Sequence, residues 1–292
     1  MARLETDHLT WHYPGSEQPA LDEVSLSIPA GEFVAITGAN NSGKSTLCYA
    51  LAGVVPHLYQ GEMQGRVLID GTDNKNKTVS EIALHAGLVL QVPASQMSGV
   101  RYTVFEEIAF GLENRGVPRE TMLQKVKKIL TLMGLEEYAA HSPFHLSGGQ
   151  QQRLALATVL AADPSILILD EPTTFLDPQG AKLVFDILRQ LQQQGKTIVI
   201  AEQKADLIAE YADRVLAFDK GRLVMDDIPR KVLTSPRMQE IGLGGTRYTQ
   251  VADLACKKGL LPSDLPLPAS LSETVEVVAQ LSHKGKTHAH SC

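Results

Sequence analysis

One stretch constrains the chain more than any other: Gly38-Ala-Asn-Asn-Ser-Gly43-Lys44-Ser45. It follows the apolar run Phe33-Val-Ala-Ile36 and precedes a segment whose apolar residues, Leu47, Ala50 and Leu51, suit a helix. A buried strand, a glycine-rich turn and a helix in that order form a loop that wraps phosphate. Glycines at the ends of the turn allow backbone angles closed to other residues. Successive N–H groups, from Gly38 through Asn40, Asn41, Ser42 and Gly43, then point at phosphate oxygens at the positive end of the helix. In such a loop Lys44 contacts the β- and γ-phosphates, Ser45 offers its hydroxyl to Mg²⁺, and Thr46 donates to an α-phosphate oxygen. A plain glycine-rich turn is the competing reading, and the strand before and helix after speak against it.

A second half of the site is legible in Ile166-Leu-Ile-Leu-Asp170-Glu171. Four apolar residues make a buried strand, and the acid at its end faces the metal of a phosphoryl-transfer site. Asp170 is expected to hold Mg²⁺ through water, and Glu171 to polarise the water that attacks the γ-phosphate. Taken alone Glu171 reads equally well as a solvated loop acid; with the phosphate loop in the same chain, phosphoryl transfer is the better reading.

The remainder fits an α/β protein of ordinary globular composition. Among 292 residues, 43% are hydrophobic and 21% charged, enough for one large domain and an appendage. A formal net charge of −6 argues against a surface built to neutralise nucleic acid. Cys48, Cys256 and Cys292 are few and far apart, which suits reduced cytosolic thiols rather than a disulfide framework. The polar, acid-containing opening does not resemble a secretory signal, so the protein is expected to stay inside the cell. Apolar runs are far shorter than the roughly 18 to 20 residues of a spanning helix, so membrane work has to pass through a partner. The opening is strand-rich, with strands to Ile36 and at Arg66–Asp70. A helical insertion is expected over about 93–150, then strands at Ile166–Leu169 and Thr197–Ile200 with helices from about Gly149 and over Lys182–Gln194. Strand and helix alternation predicts a parallel sheet. Residues 225–292 are less periodic and richer in Pro and Gly.

Leu146-Ser147-Gly148-Gly149-Gln150-Gln-Gln-Arg153, upstream of Asp170, resembles the signature sequence of the ATP-binding-cassette (ABC) proteins. The resemblance runs over most of Leu9 to Val224 and implies a fold: a strand-rich N-terminal part, a RecA-like parallel core, an inserted helical subdomain and a small C-terminal appendage. It also implies that Ser147, Gly148, Gly149 and Gln150 meet the γ-phosphate of an ATP bound to a second, opposing ATPase subunit. Tyr13 matches the aromatic that stacks on adenine, its alternative being a core strand position like Leu9 and Trp11. Gln91 matches the glutamine that reaches Mg²⁺ and the attacking water, and Asp177 the acidic residue that acts across the dimer. Gln203 departs from the pattern, standing where the family places a switch histidine; an amide hydrogen-bonds there but carries no proton charge. Both a slowed half-site and an adequate substitute remain open.

Pro56-His-Leu-Tyr-Gln-Gly61, Gln91-Val-Pro-Ala-Ser-Gln96 and Val104-Phe-Glu-Glu-Ile-Ala-Phe-Gly111 are similar to energy-coupling-factor ATPases. That branch implies a peripheral protein on the cytoplasmic face of the membrane. Its partners would be a transmembrane coupling protein, received near Gln91 to Gly111, and a membrane subunit that captures a vitamin or transition-metal ion. Residues 225–292 would be the accessory segment that helps hold the dimer. His283, His288, His290 and Cys292 fit no structural zinc spacing and read as a mobile polar tail. Two other classes stay in view: an ATP-driven clamp on nucleic acid or ribosomes, which the acidic charge disfavours, and a slow, chiefly nucleotide-binding partner in an asymmetric dimer.

Overall fold

The structure, a computed structural model, describes residues 4–262 and 265–288, with side chains described as far as 279. The chain opens with β1 (Leu4–His12) and β2 (Leu21–Ile28), enters β3 (Phe33–Gly38) and α1 (Lys44–Leu51), and passes the short α2 (Val54–His57) into β4 (Glu62–Ile69) and β5 (Thr72–Asp73). After α3 (Val79–Ile82) and β6 (Ala86–Val89) come the helices α4 (Val104–Asn114), α5 (Arg119–Met133) and α6 (Gly148–Ala161). Then β7 (Ile166–Asp170), α7 (Pro178–Gln193), β8 (Thr197–Ala201), α8 (Ala205–Tyr211), β9 (Arg214–Asp219) and β10 (Arg222–Asp227) complete the core. Four helices follow: α9 (Pro229–Leu233), α10 (Pro236–Glu240), α11 (Arg247–Lys257) and α12 (Leu271–His288).

Two sheets form. An antiparallel one runs β2-β1-β4-β5, and a six-stranded one runs β10-β9-β3-β8-β7-β6, parallel except for β10. The six-stranded sheet divides the core in two by simple alternation. On β3, Phe33 and Ala35 face a cluster with α4, α6 and α7, while Val34 and Ile36 face a cluster with α1 and the antiparallel sheet. On β7 the same holds for Leu167 and Leu169 against Ile166 and Ile168. Burial on both faces explains why these strands read as unbroken apolar runs.

The helices begin and end where local chemistry dictates. Reciprocal capping boxes, Thr103 with Glu106 and Ser147 with Gln150, start α4 and α6. Gly134, at φ 59°, closes α5 in the left-handed region. Several boundaries differ from expectation. The helix after the phosphate loop, expected from Ser45 to about Val55, stops at Leu51, because Gly53 turns at φ 71°. Strand β4 starts at Glu62, not Arg66, since pairing to β1 at His12↔Glu62 carries exposed polar residues into the ladder. Strand β10 crosses 224/225 and reaches Asp227 because it pairs with β9, so the core sheet outlasts the boundary drawn there. The expected tail is helical in its backbone through His288; His290 and Cys292 lie outside the described residues, as do the side chains of His283 and His288.

Candidate functional site

The parallel register lays four strand ends side by side: Ile36 pairs with Ala201, Leu169 with Ile200 and Val89 with Leu169. The loops leaving β3, β8, β7 and β6 at their carboxyl ends therefore meet, the position where open α/β sheets bind ligands. These loops carry the phosphate turn, Gln203, Asp170 with Glu171, and Gln91.

In the phosphate turn Asn41 has φ 63° and Gly43 φ 102°. A Cβ at Gly43 would sit 2.5 Å from the Ala20 carbonyl oxygen, and one at Gly38 2.5 Å from that of Phe218. Both positions require glycine for space, and Gly43 for its backbone angle as well. The Lys44 ammonium donates to the carbonyls of Gly38 and Ala39, each at 2.9 Å, and lies across the turn. Burial pushes its pKa down, and the charges of Glu171 and Asp170 pull it back up.

Ser45 Oγ donates to Asp170 Oδ1 at 2.9 Å. The other carboxylate oxygen, Oδ2, is buried without a hydrogen-bond partner, and burial raises the Asp170 pKa above the ordinary aspartate range. A hydroxyl beside an orphaned, desolvated carboxylate oxygen is a hard, all-oxygen donor set, and it fits Mg²⁺. Among the described residues no group of three or more His, Cys, Asp or Glu could hold a metal.

Glu171 follows at φ 44°, left-handed backbone of the kind that collects at working sites. Its N–H donates to the Ala201 carbonyl at 2.9 Å, so β8 holds the turn. Two amides grip its carboxylate: Gln91 Nε2 donates to Oε2 at 2.9 Å and Gln203 Nε2 donates to Oε1 at 2.7 Å. Gln203 Nε2 also donates to Asn40 Oδ1 at 3.0 Å, tying Glu171 to the phosphate turn. Both Gln203 donor hydrogens are thus engaged within the site. Tyr13, just past the end of β1, joins through its hydroxyl, 3.3 Å from Thr46 Oγ1 on α1, while Leu9 and Trp11 within β1 are fully buried.

The signature residues form a second cluster. Ser147 and Gln150 close on each other at the start of α6, and Gly148 and Gly149 lie against Phe175 and Leu176 in the loop after Glu171. Asp177 caps α7, its Oδ1 accepting from Gly180 N at 2.7 Å. The sequence reading missed Glu202. Buried after β8, it accepts from Gln203 N at 2.8 Å and Lys204 N at 3.1 Å, and Thr173 Oγ1 donates to it, so it aims the Gln203 segment. An acid at the end of a buried strand was its available signal, the same one that marked Asp170.

A phosphate turn whose lysine and serine sit beside an acid ending a neighbouring parallel strand defines a P-loop nucleoside triphosphatase. The family model for ABC transporter matches residues 21–174, and the chain belongs to that family as an ATP-binding, ATP-hydrolysing cassette. It is 42% identical over 242 residues to the energy-coupling factor transporter ATP-binding protein EcfA1 of Levilactobacillus brevis, covering 82% of this chain and 84% of that one. Its structure resembles cbiO1 from Clostridium perfringens, part of the ABC transporter complex cbiONQ, with a TM-score of 0.70 at 30% identity over 86% of this chain and 97% of that one. It also resembles the dimeric ATP-binding cassette MJ0796 bound to ADP and Pi, with a TM-score of 0.68 at 28% identity over 77% and 98% of the two chains.

Proposed function

We propose that this cassette drives an energy-coupling-factor importer, hydrolysing ATP so that transmembrane partners take up a vitamin or a transition-metal ion. The observation that carries hydrolysis is the Glu171 carboxylate, gripped by Gln91 and Gln203 beside Lys44 and Asp170. Likeness to EcfA1 and cbiO1 supports the branch. Among the described residues no helix is long and apolar enough to cross a membrane, which agrees with a peripheral subunit on the cytoplasmic face.

In this reading the turn from Gly38 to Gly43 and Lys44 bind the triphosphate, Tyr13 carries the adenine, and Glu171 accepts a hydrogen bond from the attacking water and polarises it. Ser45, Asp170 and the Gln91 amide oxygen would hold Mg²⁺, which when bound neutralises charge on the transferred phosphoryl group. Ser147, Gly148 and Gly149 serve the ATP of a second cassette, and Asp177 faces the dimer. Residues 225–292 serve as the accessory segment.

Coupling starts at Gln91, whose neighbour Val92 opens an apolar surface: Val92 is 47% exposed, Val100 63% and Tyr102 85%. The scaffold under it is firm. Buried Glu107 accepts from Ser98 N and Oγ, each at 2.7 Å, and Gln96 accepts from Leu90 N while donating to the Ala155 carbonyl of α6. A transmembrane partner seated there can move Gln91 and α6 together.

ATPase rates with and without candidate membrane partners test the proposal. Glu171→Gln is expected to abolish turnover while nucleotide binding persists, and Val100→Asp to remove partner stimulation at unchanged basal rate. Stimulation untouched by Val100→Asp would refute the docking surface. A slow half-site is a second reading, favoured by Gln203 standing at the switch position; a severalfold faster Gln203→His variant would establish it.

A further inference from the structure

Tyr13 does not stand alone at its end of the site. Its ring meets two others nearly at right angles: Trp11 at a centroid distance of 5.7 Å and 88°, and Tyr59 at 6.3 Å and 84°. Trp11 is fully buried, whereas Tyr59 remains 46% exposed. Tyr59 is itself held by Tyr49, which stacks on it at 5.9 Å and 5° between planes. Tyr49 belongs to α1, the helix that carries Lys44, Ser45 and Thr46. Tyr49 is partly buried, and that burial pushes the pKa of its phenol up to about 12.

The segment bearing Tyr59 is fitted to this place. A Cβ on Gly61 would lie 2.4 Å from both Trp11 Cζ2 and the His12 carbonyl oxygen, so glycine lets this loop lie against the end of β1. On its other side His57 Nε2 and the Asn74 carbonyl oxygen are 3.0 Å apart. Three tyrosines and a tryptophan thus link the phosphate helix to the ring at the end of β1, each pair in a stacked or edge-on arrangement that aromatic rings favour.

We infer that Tyr59 is a positioning residue of the nucleotide site, fixing the Tyr13 ring edge-on from the solvent side and setting its face for the purine base. The inference rests on Tyr13 as the base platform. Without Tyr59, Tyr13 loses one of its two edge-on aromatic neighbours and gains rotational freedom that base binding must then remove. The cost falls on ligands with a base and spares ligands that are phosphate alone.

The experiment compares binding of magnesium ADP and magnesium pyrophosphate to the full chain by titration calorimetry, in wild type, Tyr59→Ala, Tyr59→Leu, Tyr59→Phe and Tyr13→Ala. ADP affinity is expected to fall about three- to tenfold in Tyr59→Ala and Tyr59→Leu, with pyrophosphate affinity within about twofold of wild type. Tyr59→Phe, which keeps the ring, should restore ADP binding. Unchanged ADP affinity in Tyr59→Leu beside a loss in Tyr13→Ala overturns the inference and leaves the platform standing. Parallel loss of ADP and pyrophosphate in both aliphatic variants also overturns it, since that signals damage to the phosphate helix. If Tyr13→Ala itself binds ADP normally, the platform reading fails and the inference fails with it.

Discussion

Removing the Gln203 side chain tests the central geometry most directly. Gln203→Ala deletes the 2.7 Å donation to Glu171 Oε1 and the 3.0 Å donation to Asn40, leaving Gln91 as the carboxylate's remaining amide donor. A hydrogen bond to a charged group contributes about 1.5 to 3 kcal/mol, and the exposure of Gln203, where water replaces the lost donor, argues for the lower end. A loss of roughly 1 to 1.5 kcal/mol in holding Glu171 toward the attacking water corresponds to about a five- to thirteenfold fall in kcat. The tie to Asn40 is neutral and exposed, so KM for ATP should change less than about threefold. Steady-state ATPase at saturating Mg-ATP reads the first quantity and its concentration dependence the second. Because Gln91 and Gln203 act on one carboxylate, the Gln91→Ala, Gln203→Ala pair should be non-additive. A Gln203→Ala enzyme with wild-type kcat, or a strictly additive pair, would refute the idea that the two amides orient Glu171 together.

Gly43→Ala forces a Cβ to 2.5 Å from the Ala20 carbonyl at φ 102°, so ATP binding should be lost, as measured by calorimetry, while the cassette still folds. Burial raises the Asp170 pKa, so the protonated form competes with metal at higher pH than for an ordinary aspartate. Magnesium affinity, followed by titration across the acidic range, should therefore weaken as pH falls through that raised pKa and recover above it. The sign for folding is opposite: the folded chain binds that proton more tightly, so this group's contribution declines as pH rises from the unfolded pKa through the folded one. Phe185→Ala removes a buried ring stacked on Phe33 at 6.1 Å and tilted against Tyr211 at 5.2 Å, and should destabilise by about 3 to 5 kcal/mol in urea unfolding.

The sequence by itself determined what rests on local chemistry. A glycine at 43 is needed because the backbone turns left-handed there, an apolar run ending in Asp170 is needed because the strand is covered on both faces, and Ser147 with Gln150 caps a helix through neighbours three residues apart. Such features depend on a few adjacent residues, so the order of the core elements and most residues of the candidate site were legible. Tertiary structure alone decided which of those residues touch. Gln91 and Gln203, 80 and 32 residues away from Glu171 in sequence, reach its two oxygens only because β6, β7 and β8 lie side by side in parallel. Nothing in the string orders those strands. The same holds for Glu202 behind Gln203, for the aromatic chain from Tyr49 through Tyr59 to Tyr13, and for β10, whose extent past residue 224 is set by its partner β9. Contacts between distant segments depend on where the packed sheet brings strand ends together, and that placement is a property of the whole fold.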